Sequence, residues 1–358
     1  MDFLERNKAL FAEIEEKIAK DPQNVENYLI LGKLYVMGGL FDKAIDVYGK
    51  LLKIDPLSTQ ALVNTGSIYF FKKEYQKAID TFSRVLETDE ANFSAFYNLG
   101  NTYAELKNYN QAMHSYKRAL ACDDKNPDLY TAIAILHQDM CEYPDAIANF
   151  QKALDLDPKN PEYNSNLACA YVKMKMYKEA VYYFKKSIDS VPDDPKTLLH
   201  LANVYSSMKD FENANLYFEL ALQYDENYYE AYICMAISLC DEGKVNEAYA
   251  VYDKALEINP NRSNAFVLKA NLLVSNSEFA EALKLYRKAL EIEPSSPKIY
   301  IHAGNTSVLA GDLVGAIRDY KKAVTLLPND EQTLLMYYDT VRDYVNKKYD
   351  KEQFSGTK

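Results

Sequence analysis

The sequence predicts an all-α solenoid of stacked helix–turn–helix hairpins, and three observations carry that expectation. Stepping by 34 from Ala44 meets Ala78, Ala112, Ala146, Ala180, Ala214, Ala248, Ala282 and Ala316, with no insertion or deletion. Four residues after each alanine stands an aromatic, from Tyr48 and Phe82 through Tyr286 and Tyr320. Twelve residues before each stands a small residue, Gly32, Gly66, Gly100 and Gly304 or an alanine such as Ala134 and Ala270. A fixed period of this length marks a repeat architecture, in which each unit packs on its neighbours and no single core has to grow.

The elements follow in order. Residues 1–24 predict a capping helix and turn, with Phe3, Leu10, Phe11, Ile14 and Ile18 on one stripe. Nine repeats then fill 25–330, starting at 25, 59, 93, 127, 161, 195, 229, 263 and 297. Each predicts a helix A over about its first fourteen positions and a helix B over about positions 18–31. Positions 4, 7, 8 and 11 share one face of helix A, and positions 20, 24 and 27 share one face of helix B. The small residue at position 8 and the alanine at position 20 let the two backbones approach, and the aromatic at 24 fills the space beside them. Six units carry proline at position 32, for example Pro56, Pro158 and Pro260, which is expected to end helix B. Asn164, Lys269 and Ser307 depart from positions expected to be apolar, so looser packing is expected around them. Residues 331–348 predict a C-terminal capping helix, and 349–358 a frayed tail.

The spacing of these residues resembles the tetratricopeptide repeat family over residues 25–330. The first unit reads Tyr28, Leu31, Gly32, Tyr35, Ala44, Tyr48, Leu51, Pro56, and the third reads Phe96, Leu99, Gly100, Tyr103, Ala112, Tyr116, Ala119. Tryptophan, which the family often places first, is absent. The resemblance implies a right-handed superhelix whose helices A line a concave, ligand-binding groove.

Composition narrows the function. The net charge is −11 and the pI about 5.1, a poor match to nucleic acid or to an anionic membrane surface, both of which call for a basic footprint. No apolar run approaches the length that spans a bilayer, and the acidic N-terminus lacks the features of a secretory signal. Five scattered cysteines imply no disulfide framework and point to the cytoplasm. His137 and Cys141, at i and i+4, could supply half a zinc site, but no second pair stands in phase with them, so no metal site is expected. Neither a phosphate-binding glycine loop nor a catalytic triad pattern is present, no cofactor is implied, and a non-catalytic role is expected.

With the repeats filling 25–330, function is expected on the solenoid surface, at positions of helix A that face away from helix B. Asparagine recurs there, as Asn64, Asn98 and Asn166 at position 6 and Asn101, Asn203, Asn271 and Asn305 at position 9. A side-chain amide both donates and accepts, so a row of them can bracket the backbone of an extended peptide. The series resembles the asparagine ladder in the repeat arm of the O-GlcNAc transferases. Tyr97 and Ile237 stand for an apolar component of the same face, in the first and last thirds of the array. The clamp that holds acidic chaperone tails needs lysine at position 5, which is never basic here, so that class of partner is excluded. The expected function is a scaffold or adaptor that binds a protein or peptide segment in the groove. The alternative is a targeting or regulatory subunit of a separately encoded enzyme such as a glycosyltransferase.

Overall fold

A computed structural model describes residues 3–355, and among these it is entirely helical apart from turns. The chain divides into two compact units, Met1–Tyr183 and Phe184–Lys358. The first opens with α1 (Phe3–Arg6) and α2 (Lys8–Lys20) and continues through hairpins α3–α4 (Val25–Met37, Phe41–Ile54), α5–α6 (Thr59–Phe71, Tyr75–Thr88), α7–α8 (Phe93–Glu105, Tyr109–Cys122) and α9–α10 (Pro127–Asp139, Tyr143–Leu156) to α11 (Pro161–Lys173). The boundary falls inside α12 (Tyr177–Ser190). The second contains hairpins α13–α14 (Pro195–Ser207, Phe211–Tyr224), α15–α16 (Tyr229–Glu242, Val245–Ile258), α17–α18 (Ser263–Ser275, Phe279–Ile292) and α19–α20 (Pro297–Leu309, Leu313–Leu326), then α21 (Glu331–Ser355). Within each unit, a helix packs on its hairpin partner and on the next helix A.

Every helix B covers positions 17–30 of its repeat, and every helix A ends at position 13 except α15, which gains one residue. The hairpin turn is the same nine times. Position 15 is left-handed in each, with φ from 57° at Lys107 to 86° at Gly243. The amide of position 16 then reaches back to the carbonyl of position 11, as in Leu40 to Tyr35 at 2.8 Å and Asp312 to Ser307 at 2.9 Å. This Schellman closure satisfies carbonyls that the end of helix A would leave bare. Three of the nine left-handed residues are glycine, and the others are Lys73, Lys107, Cys141, Lys175, Lys209 and Ser277.

The hairpin core is a ring laid against a backbone. Ala44 and its equivalents are fully buried, and Tyr48, Phe82, Phe184 and Phe218 have no exposed surface. A Cβ built on Gly32 would stand 2.3 Å from the Tyr48 ring, and one on Gly100 2.2 Å from the Tyr116 ring. Glycine at position 8 therefore serves close approach rather than backbone freedom.

Several expectations need correction. Helix B ends at position 30 in all nine repeats, including those with Glu90, Asp124 and Glu226 where others have proline. In four repeats the residue at position 31 marks the stop, where Asp55, Asp123, Asp225 and Asn259 each accept the amide two residues on. These Asx turns redirect the chain whether or not proline follows. The N-terminal segment is two helices rather than one. Asn7 sits between them and donates its side-chain amide to the Phe3 carbonyl at 3.0 Å. Leu10 leaves the expected stripe and is exposed, whereas Phe11 and Ile14 are buried with Tyr28 and Leu31. The last helix does not stop at residue 348. It runs to Ser355, because no proline or glycine interrupts it before Gly356; the rest of the expected tail, 356–358, lies outside the described residues. Asn164 does not loosen its repeat, since it is buried and donates to the Asn160 carbonyl at 2.9 Å. Lys269 snorkels to Asp253 and over the Tyr249 ring. Ser307 is buried, and its hydroxyl has no hydrogen-bond partner among the described residues.

Candidate partner-binding face

Helix A begins at the same register in each repeat, and in six of the nine a side-chain cap or a first-turn proline marks that start. Asn92, Asn126 and Asn160 accept amides of the first turn, and proline at 127, 161, 195 and 297 takes a helical position that needs no donor. Positions along successive helices A are thereby brought into rows.

In the first unit these rows border an open groove of about 580 Å³. Its lining comes chiefly from three successive helices A, with Tyr97, Asn101 and Glu105 on α7, Asp128, Ile135 and Asp139 on α9, and Glu162 and Tyr163 on α11, joined by Tyr109 and Tyr116 of α8. Phe70 of α5 also lines it. The Tyr97 ring stacks on Phe93 at 5.8 Å and tilts against Tyr116 at 6.4 Å. Burial pushes the Tyr97 phenol above its ordinary value, with a smaller contribution from Asp128, while the neighbouring Asn101 amide opposes the rise. Tyr116 is also raised, first by burial and then by its neighbour Tyr97, and Tyr163 first by burial and then by its bond to Asp128. The phenols therefore remain donors at neutral pH. Tyr163 donates to Asp128 at 2.5 Å and Tyr116 to Asn101 at 2.7 Å.

A smaller groove of about 290 Å³ adjoins it, lined by Lys33, Val36, Met37, Asn64 and Phe71. Phe70 and Phe71 meet edge-on at 5.9 Å, one ring on each groove. In the second unit a groove of about 220 Å³ holds Asn203, Cys234, Ile237 and Asp241.

The asparagine series thus separates into classes. Tyr97 and Asn101 share the large groove, Asn203 and Ile237 share the groove of the second unit, and Asn64 lines the small apolar one. Asn98 turns back and donates to the Ser94 carbonyl at 2.8 Å. Asn166, Asn271 and Asn305 line none of these grooves. Three of the position-9 asparagines have a structural partner. Asn101, Asn271 and Asn305 accept the hydroxyls of Tyr116, Tyr286 and Tyr320 at 2.7, 2.6 and 2.5 Å. Asn64 instead donates to Tyr48 at 3.1 Å. Sequence reasoning missed this coupling, although it left a signal: where position 24 is tyrosine, an asparagine stands fifteen residues before it in repeats three, eight and nine. The bond turns the Asn101 oxygen inward, so its NH2 donors point away from the tyrosine.

His137 Nδ1 lies 2.7 Å from Glu142 Oε2, and Asp145 joins them with ligand atoms within 4.8 Å of one another. The carboxylates are exposed and the imidazole already has a hydrogen-bond partner, so an ordinary His–Glu contact accounts for the group. Cys141 is the left-handed residue of its turn. Among the described residues no helix is long and apolar enough to cross a membrane.

Family models described as TPR repeat or tetratricopeptide repeat match residues 26–58, 66–107, 93–126, 142–175, 161–194, 207–272 and 267–331. No curated protein matches. Among solved structures, a tetratricopeptide repeat protein from Parabacteroides merdae is 17% identical over 70% of this chain and 98% of its own, with a TM-score of 0.54. The pilF protein of Pseudomonas aeruginosa is 21% identical over 60% of this chain and 96% of its own, with a TM-score of 0.51. The MamA protein is 26% identical over 48% of this chain and 94% of its own, with a TM-score of 0.41. The first two likenesses show the fold.

Proposed function

Because the chain belongs to the tetratricopeptide repeat family, we propose that it is a non-catalytic scaffold that holds an extended polypeptide segment of a partner against its helices A. One observation carries the reading. The 580 Å³ groove is open and is built from side chains of α7, α9 and α11 together, so it runs across repeats rather than into one. An extended chain suits such a surface better than a compact small molecule, whose sites are enclosed and mostly apolar. Asn101 offers amide donors to a passing backbone, while Tyr97, Ile135 and Phe70 offer apolar contact. Five free thiols fit a reducing compartment such as the cytoplasm.

Affinity capture with the full chain, read by mass spectrometry, tests the proposal. The variant carrying Tyr97→Ala, Asn101→Ala and Asn203→Ala is expected to lose the captured partner while its circular dichroism remains helical. Retention of the same partner by that variant refutes the groove assignment.

A further inference from the structure

We infer that the large groove of the first unit takes a basic segment, an extended polypeptide whose Lys or Arg side chains follow an apolar anchor. The inference rests on the groove reading above and adds the chemistry of the occupant. Four carboxylates line the groove, Glu105, Asp128, Asp139 and Glu162, against one cation, Lys107. Among the described residues none of the four is in a salt bridge, whereas Glu230 in the second unit is paired with Arg262 at 2.7 Å. Two of the carboxylates do have phenol donors, Asp128 from Tyr163 and Glu105 from Tyr75 at 3.4 Å, but those bonds leave the negative charge in place.

The arrangement is periodic. Asp128 and Glu162 stand at position 2 of consecutive repeats, and Glu105 and Asp139 at position 13 of consecutive repeats. A segment that crosses α9 therefore meets similar acidic groups on either side. Like charges gathered along a concave, low-dielectric wall focus a negative potential into it, which attracts cations and repels acidic chains. The aromatic lining of Phe70, Tyr97 and Tyr109 suits the methylene stems of Lys and Arg and attracts their charged ends. Next to it, Met37 and Phe71 are 71% and 65% exposed and line the adjoining apolar groove, which supplies a seat for the anchor. In the second unit only one repeat has acids at both positions, Glu230 and Asp241, and Glu230 there is paired with Arg262. The other position-2 residues of that unit include Lys196 and Lys298, and its other position-13 residues include Ser207, Ser275 and Leu309.

The test uses the full chain and three fluorescein-labelled decapeptides, each with one leucine near its N-terminus and the rest alternating serine with lysine, glutamine or glutamate. Fluorescence anisotropy is expected to show binding of the lysine peptide, weaker binding of the glutamine peptide, and none of the glutamate peptide. The lysine signal should weaken as sodium chloride rises. Asp139→Asn with Glu162→Gln keeps the side-chain shapes and is expected to raise the dissociation constant about five- to tenfold, as the loss of two solvent-accessible ion pairs implies. Glu87→Gln with Glu219→Gln removes the same charge from helices B and is expected to leave binding unchanged. Equal binding of the three peptides, or an unaltered constant in the Asp139/Glu162 variant, overturns the basic-segment inference. If that equal binding is also lost on Phe71→Ala, the groove reading survives without it. No binding of any peptide overturns the inference as well, and the capture experiment then judges the groove independently.

Discussion

Replacing Gly100 with alanine tests whether a ring packed on a bare backbone is what sets the hairpin. A Cβ there would lie 2.2 Å from Cε1 and 2.3 Å from Cδ1 of Tyr116, a side chain only 2% exposed. Carbon atoms rest at about 3.5–4.0 Å, so the ring must withdraw by more than about 1 Å. Overpacking of this kind costs about 1–3 kcal/mol. Withdrawal also strains the Tyr116–Asn101 bond, worth about 1 kcal/mol. Alanine returns about 1 kcal/mol through its higher helix propensity. The net expectation is a loss of about 1–3 kcal/mol, combining those terms. Gly49 is the control, an exposed glycine inside α4 with nothing within 4 Å of its added Cβ. Gly49→Ala should gain about 0.5–1 kcal/mol from propensity alone. Urea denaturation followed by circular dichroism measures both, with hydrogen exchange of α7 and α8 as the local probe, because repeats need not unfold as one. The two midpoints should move in opposite directions. A stabilised Gly100→Ala chain would refute the reasoning.

Tyr320→Phe removes the hydroxyl that Asn305 accepts and is expected to cost about 1 kcal/mol in urea denaturation. The same change cannot be made in repeats two, four, five and six, which already carry Phe82, Phe150, Phe184 and Phe218. Arg287→Ala strips the two-pronged partner from Asp319, whose side chain is 2% exposed, and should cost about 3 kcal/mol, the low end for a broken buried pair because Arg318 stays near. Lys209→Gly relieves a left-handed non-glycine residue and should stabilise by about 0.5–1 kcal/mol in the same assay. His200 stacks on Phe184 at 5.9 Å, and burial, then Lys196, hold its pKa below the ordinary 6.5. The unfolded chain therefore binds the proton more readily, so stability is full above the ordinary value and falls as pH drops below it. His200→Phe should flatten that slope; an unchanged pH profile of the melting temperature would refute the assignment.

The sequence by itself determined the repeat, its phase and its pairing, because the 34-residue step brings small, alanine and aromatic residues to the same helical faces nine times. The helix limits fell within one residue of that phase in every repeat, since the left-handed turn at position 15 recurs with it. Particular residues were less legible. Proline at position 32 read as the stop of helix B, yet Asp123 and Asp225 end their helices without it. Asn64, Asn101 and Asn305 read as equivalent amides of one face, yet Asn64 donates to its tyrosine whereas Asn101 and Asn305 accept from theirs.

The tertiary structure decided which of the surface residues meet. Glu105 and Asp139 lie 34 residues apart, and Asp128 stands between them in the chain, yet all three line one groove with Tyr97 and Glu162. Periodicity states which face a side chain occupies on its own helix. How closely neighbouring helices approach, and which amide turns inward to a tyrosine, depends on packing between repeats, where side chains distant in sequence compete for the same space.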